Sequence, residues 1–520
     1  MLLLYALARP IASSLSASST DNSTSFDPVT GKCIDINGCR TTTGILWSCL
    51  SVIFICTWVA IHPNIPLVEK FDHGNDRWTG DRWHPAVAVY QNVELMVVAL
   101  LAPEFMILWA MRQREKAKKI GEQFKDYGWG MSHGFFMVMG GFALYDGEDF
   151  WGYLEESEYC GYSLWDKVTE YHQHMKAAPG YKLQQASQSP SLYPAASAPD
   201  EDRPATSEKP SKPIDKPSRD LCLLEFFVAN RYITLTEDEI KDRSHADVIT
   251  KSIAVIQTIW FIMQVIARAV EGLAITELEI ITVGFAILNF GTYFLWWNKP
   301  LRVRHPVRVY WRQTETSGAG GAGGGEGGIW TTCWEGVGAI VEYIYADKLF
   351  MIFGRPHNTL IRLLLLSLWI PWHIFYVCLE ILKDEDDSDL AIPISSRLDD
   401  DPLHLYIAVY GIAALFGAIH CIPWVFQFPT HTEQLLWRIS AVAVAAAPVA
   451  MGLLHVYLKE LVRSTPNWLD NVMVTLLVVL SLAYAVFRIT LLVIAFTALR
   501  DLRPSAYQTV QWTTFIPHIG

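Results

Sequence analysis

Charge is scarce in this chain. Only 18% of its 520 residues are Asp, Glu, Lys or Arg, while 51% are hydrophobic and 12% aromatic, a balance that soluble domains seldom carry. A basic excess is missing as well. The 41 Lys and Arg face 53 Asp and Glu, for a formal charge of -12, and this excludes the electrostatic footprint of a nucleic-acid binder. The acid gathers in short blocks, Asp384–Asp389 and Asp399–Asp401, that read as solvated loops. Catalytic signatures are also lacking: there is no Gly-x-Ser-x-Gly, no His-rich desaturase set and no dinucleotide glycine fingerprint. The nine Cys show no metal-ligand spacing, so no metal site and no cofactor is assigned. The glycine run at 317–328 has no Lys-Ser/Thr after it and reads as a tether rather than a phosphate cradle. Alternating ten-residue stretches are absent, which removes a membrane barrel from consideration.

What the chain has is long apolar runs. A bilayer-spanning helix needs roughly 20 mostly apolar residues. Such runs lie at about 43–61, 86–111, 252–270, 277–297, 361–382, 403–425, 435–457 and 471–498. In lipid the backbone must satisfy its own hydrogen bonds, so these runs are expected to be helices. The expected fold is all-α, a polytopic transmembrane bundle of about eight spans with a partly disordered cytoplasmic insertion. Trp296, Trp297, Trp369, Trp372, Trp424, Trp437 and Trp468 cluster near span ends, where amphipathic rings meet headgroups.

This divides the chain into an N-terminal segment (1–42), helices 1 and 2 (43–111), a mostly cytoplasmic insertion (112–250, disordered at about 176–219), helices 3 and 4 (251–298), a basic and Gly-rich region (299–358), helices 5 to 8 (359–499) and a tail (500–520). Within the insertion, Thr236 and Glu239 fit a capping box. Ser244 is a candidate cap for a helix running into the third span.

Two topological signals disagree. Residues 1–19 resemble a signal peptide without its basic region, Asn22 opens a glycosylation sequon, and Cys33 and Cys39 are a disulfide candidate. All three favour a lumenal N-terminus. The basic stretches Arg112–Lys119 and Lys299–Arg312, together with Arg500 and Arg503, are expected in the cytoplasm by the positive-inside rule. With eight spans, that puts the N-terminus in the cytoplasm too. An additional crossing at 127–145 is one way to reconcile them, although it would move the first basic stretch outside.

Ionisable side chains inside spans cost about 2.5–3.5 kcal/mol each on insertion scales and mark candidate sites. Gln257, Gln264, Arg268 and Glu271 share one face of the third span, with Glu277 and Glu279 just beyond. They form either a ligand or ion cavity, with Arg268 paired to Glu271, or a hydrogen-bonded packing seam. Glu94 and Glu104 lie in the second span, the latter beside Pro103. Glu104 is either an ion site at a kink or a headgroup-level partner of Arg112 or Arg114. His373 and His420 each sit beside a Pro and a Trp, as core histidines or as a relay. Arg488, in the last span, needs an acid, and Glu94, Glu104 and Glu380 are available.

Two stretches, Cys39–Pro66 and Thr276-Glu-Leu-Glu followed by Leu295-Trp-Trp-Asn-Lys-Pro-Leu301, resemble a large group of filamentous-fungal integral membrane proteins of unassigned function. The resemblance covers most of the chain outside its two linkers. It implies a fungal source and an endomembrane or plasma-membrane setting, and it brings no catalytic residue with it.

The expected function is transport, channel activity or sensing of a small molecule or ion through a polar intramembrane cavity. Membrane lipid is the expected partner, with a small-molecule ligand but no nucleic acid. One alternative is a membrane-embedded enzyme acting on a lipid or isoprenoid, since the Asp384–Asp389 block resembles a diphosphate-binding acid motif, although without its second metal motif. Another is a membrane scaffold.

Overall fold

A computed structural model describes residues 39–66, 69–72, 77–82, 85–146, 149–154, 223–244, 248–312, 339–340, 402–461 and 467–510. Residues 1–38, with the signal-like segment, Asn22 and Cys33, lie outside them. So do the 361–382 run, His373, Glu380 and the two linkers.

The described residues are mostly helical. Six helices are long and apolar enough to cross a membrane, as a multi-pass membrane protein requires. These are α1 (Thr42–Ala60), α7 (Val248–Val270), α8 (Glu277–Leu295), α9 (Leu403–Ile419), α10 (His431–Leu461) and α11 (Asn467–Ala498). Local chemistry sets their starts. Thr41 accepts the Gly44 amide at 3.0 Å to open α1. Thr276 and Glu279 open α8 as a reciprocal capping box. Exposed Ile253, Ile256, Ile259, Met263, Ile266 and Val270 recur at helical spacing along α7, a stripe suited to lipid contact.

Side-chain contacts order the helix ends onto two faces. Cys39 pairs backbone to backbone with Gln508, and Arg40 N–H donates to the Tyr507 carbonyl. Arg268, at the end of α7, donates to the carbonyls of Ser505, Ala506 and Gln508. Arg503 meets Gln427, between α9 and α10, and Arg500 meets Glu433 in the first turn of α10. This terminal face therefore gathers the start of α1, the end of α7, the start of α8, the end of α9, the start of α10 and the end of α11.

The opposite face carries a small folded domain. Its sheet has the order β4-β3-β5, from β3 (Phe142–Asp146), β4 (Asp149–Tyr153) and β5 (Val307–Arg312). β3 and β4 form an antiparallel hairpin with Leu144 opposite Gly152, while β5 lies parallel to β3 with Leu144 opposite Val309. Helices α4 (Met131–Val138), α5 (Leu223–Ala229) and α6 (Glu237–Asp242) accompany it. A separate antiparallel hairpin, β1 (Glu69–Asp72) and β2 (Arg77–Arg82), packs beside β4. The all-α expectation therefore holds for the bundle but not for this face, where basic residues of the expected loop at 299–312 supply a strand.

The second expected span is broken. Residues 86–111 are not one straight helix but parts of α2 (Pro85–Leu101) and α3 (Pro103–Gln123), bent by 115°. Ala102 leaves helical geometry (φ −145°, ψ 66°), and Pro103 restarts the helix. From Glu104, deep among the spans, α3 climbs to the domain face, where Arg112 meets Tyr406 of early α9 and Gln113 meets Trp296 just past α8. α2 starts at that same face, next after β2. A pair bent in this way is either a broken span or a re-entrant loop.

The 127–145 stretch is not a crossing either. It holds the end of a short 3-10 turn (Lys125–Tyr127), the eight-residue α4 and most of β3. It builds the core of the domain, in which Trp129 stacks on His133 and Phe142. Gly134 lets α4 press onto α3, since a Cβ there would lie 2.1 Å from the Ala117 carbonyl oxygen.

Candidate functional site

Three buried polar clusters stand at three depths. The deepest is formed by Glu104 of α3 and Arg488 of α11, about 15 Å of helix from Ala498. Arg488 Nη1 donates to Glu104 Oε1 at 2.9 Å and Oε2 at 2.7 Å, and meets the Tyr484 hydroxyl at 3.0 Å. Its guanidinium lies 4.7 Å from the Phe416 ring centre and 5.6 Å from that of Phe285, within range of cation–π attraction. Glu104 and Arg488 are each only 3% exposed. Glu104 sits in the first turn of α3, where the positive end of the helix dipole favours a carboxylate. Arg488 Nη2 has no hydrogen-bond partner among the described residues.

The sequence offered this partnership among three acids, and the structure selects Glu104. The expected headgroup pairing of Glu104 with Arg112 or Arg114 is corrected: Arg112 donates to Tyr406 Oη at 2.9 Å, and Arg114 to the Leu295 carbonyl at 3.4 Å. His420, at the end of α9, joins the rim. Its Nδ1 lies 2.9 Å from the Phe416 carbonyl, and its ring packs edge-on against Phe416.

At the terminal face, Arg268 is surrounded by neutral oxygens. It donates to the carbonyls of Ala274, Ser505, Ala506 and Gln508, at 2.6 to 3.2 Å. Carbonyls of the turn and tail thus take the hydrogen bonds of the guanidinium, while Glu279 and Glu271, its expected i,i+3 partner, act on its charge. Glu279 takes a salt bridge from Arg40 while capping α8, and Glu277 is buried beside it. Cys39 is disulfide-bonded. Gln257 reaches Ser51 Oγ of α1 at 3.3 Å, while Gln264 and Glu271 are half-buried. Within the polar stripe of α7, Arg268 therefore joins the bundle to its own tail, and Gln257 joins α7 to α1. Glu94 is half-buried on α2. The expected single site splits: Glu104, Arg488 and His420 lie together, whereas Arg268, Glu277 and Glu279 form a different cluster.

The third cluster was not anticipated. Lys299, just past α8 at the domain face, is 2% exposed. Its Nζ donates to the His62 carbonyl, to Asn64 Oδ1 at 3.0 Å and to Gln113 Oε1 at 2.8 Å, and lies 4.8 Å from the ring centres of both Trp109 and Trp296. Burial pulls its pKa well below the ordinary lysine value. The three acceptors and two indole faces oppose that pull and suit an ammonium. The sequence signal was available: a lysine between Trp-Trp-Asn and Pro, directly after a span. Tyr484, one turn before Arg488, could also have been found by its i,i+4 spacing.

No group of three or more His, Cys, Asp or Glu that could hold a metal occurs among the described residues. Residues 205–317 and 397–519 match a family model described as "Family of unknown function (DUF8562)". These stretches include Arg268, Lys299, His420 and Arg488 but not Glu104. The match fits the resemblance to proteins of unassigned function. No curated protein and no solved structure matches the chain.

Proposed function

We propose that this protein moves or senses a small solute or ion across a membrane, and that the Glu104–Arg488 pair is its working site. The observation that carries this reading is the bent α2–α3 pair, here read as re-entrant, which brings a carboxylate at a helix N-terminus to a buried arginine among the spans. Charges at that depth are expensive and in membranes tend to mark ion and substrate pathways. Discontinuous helices whose N-termini end at mid-depth are a recurrent way to build such sites. The bend at Ala102–Pro103 is the natural hinge, because one residue there already carries the whole change in direction.

The orientation follows from charge. The domain face carries Arg112, Arg114, Lys116, Lys118, Lys119 and the basic residues 299–312, so it is assigned to the cytoplasm. The terminal face, with its disulfide at Cys39, then faces the lumen or exterior. Removing a crossing reconciles the lumenal N-terminus with the two basic stretches, while Arg500 and Arg503, expected in the cytoplasm, fall on the terminal face, where they pair with Glu433 and Gln427.

Reconstitution of the full chain into liposomes tests the reading. Flux of a panel of inorganic ions and small organic acids is expected in the wild type. It should fall at least tenfold in Glu104→Gln protein that keeps its elution profile. Undiminished flux in that variant would overturn the assignment of the site.

A further inference from the structure

Two buried donors near the working site lack acceptors. One is Arg488 Nη2 and the other is Asn289 Nδ2 of α8; neither has a partner among the described residues, and Asn289 is 6% exposed. Asn289 lies four residues after Phe285, on the same face of α8 and about 6 Å along the axis. Phe285 is one of the two rings against the Arg488 guanidinium. Asn289 therefore lies about one helical turn along α8 from the ring that packs on the Arg488 guanidinium. Both are N–H groups, so what is missing is an acceptor. A buried donor without one costs the full desolvation of that group.

We propose that Arg488 Nη2 and Asn289 Nδ2 mark a binding site for a small monovalent anion, a halide or a carboxylate group. The inference rests on the working site named above and specifies the class of its ligand. The electrostatics supply a rule for occupancy. Glu104 already neutralises Arg488 through Nη1, so an entering anion competes with the Glu104 carboxylate for one guanidinium. Removing the charge of Glu104 leaves the cation free to hold the ligand more tightly. The edge of the guanidinium that faces away from Glu104 supplies the first contact, and the Asn289 amide the second.

The test is a thermal-stability titration of the purified full chain in detergent with sodium chloride, nitrate or acetate, at constant ionic strength balanced with gluconate. A ligand that binds only the folded state raises the unfolding temperature in a saturable way. The wild type is expected to saturate with at least one of the small anions. The midpoint should weaken about tenfold in Asn289→Leu, the loss expected for one hydrogen bond to a charged ligand. It should tighten in Glu104→Gln. No saturable stabilisation of the wild type beyond the gluconate reference would overturn the proposal, with water satisfying the donors instead. An unchanged midpoint in folded Asn289→Leu protein would do the same. Anion binding without flux in liposomes would defeat the transport reading and leave this inference standing, whereas cation flux without anion binding would do the reverse.

Discussion

Arg488 reaches both carboxylate oxygens of Glu104 through the same Nη1, at 2.9 and 2.7 Å. The contact joins the last described span to the bend of the α2–α3 pair. Breaking such a pair from one side strands a buried charge, which costs about 3–5 kcal/mol in buried pairs of soluble proteins.

This sets a first expectation. Glu104→Leu and Arg488→Met should each lower the unfolding temperature markedly, while the double variant lies closer to the wild type than either single one. A double-mutant cycle in detergent measures the coupling. Additive losses would mean that the two residues act independently.

The Lys299 cage yields a second. Lys299→Met removes the donor shared by the His62 carbonyl, Asn64 Oδ1 and Gln113 Oε1 at the join of α3, α8 and the segment after α1, although Asn64 Oδ1 keeps the Gln113 amide and Gln113 Oε1 keeps the Trp296 indole N–H. A loss of about 1–3 kcal/mol is expected, read as a lower unfolding temperature. Lys299→Arg should not restore it, because a planar fork does not match a tripod of oxygens under two indoles.

The third concerns pH. His133 is held below its ordinary pKa of 6.5, first by burial and against the opposing effects of the Leu235 carbonyl and Glu237. The unfolded chain then takes up the proton before the folded one does. Its contribution to stability is complete above about pH 6.5 and falls away as pH drops from there towards the lowered folded value. Limited proteolysis of the domain from pH 7.5 to 5 should show increasing cleavage, with a flatter profile in His133→Gln. Glu237, whose pKa is lowered chiefly by the Ser132 hydroxyl, acts the same way only below its ordinary 4.5.

Close helix packing gives the fourth. A Cβ at Gly417 would meet the Val444 carbonyl at 2.5 Å and the Ala445 Cα at 2.6 Å, so α9 and α10 touch backbone to backbone there. Gly417→Val should destabilise the bundle more than Gly411→Val, since a Cβ at Gly411 meets nothing within 4 Å. Paired melting curves make the comparison.

Much of this architecture was legible. Apolar length located the six described spans to within a few residues. The Thr236–Glu239 box appears as read, with the Glu239 amide donating to Thr236 Oγ1 and the Thr236 amide to Glu239 Oε2. Ser244, the candidate cap of α7, borders residues 245–247, which lie outside the described ones. Its Oγ takes the Leu301 amide at 3.0 Å, tying the start of α7 to the chain after α8. Hydropathy could not reveal the direction of α3, because a run of apolar residues looks the same whether the chain continues or turns back, and Pro103 alone does not set an angle. The parallel pairing of β3 with β5 joins segments far apart in sequence, and its arginines disguised β5 as a basic loop. Arg268 was singled out correctly as costly, but its partners are backbone carbonyls of the tail, which no side-chain pattern displays.

The central claim is the re-entrant pair, and sidedness tests it most directly. Lys119 and Asp501 are both exposed, the first on α3 at the domain face and the second in the tail at the terminal face. A membrane-impermeant maleimide applied to sealed vesicles carrying Lys119→Cys or Asp501→Cys, each read against the unsubstituted protein, reports the side of each. The re-entrant fold predicts that one is labelled only from outside and the other only after the vesicles are opened. Labelling of both from the same side, as a straight second span with cytoplasmic loop and tail requires, would contradict it.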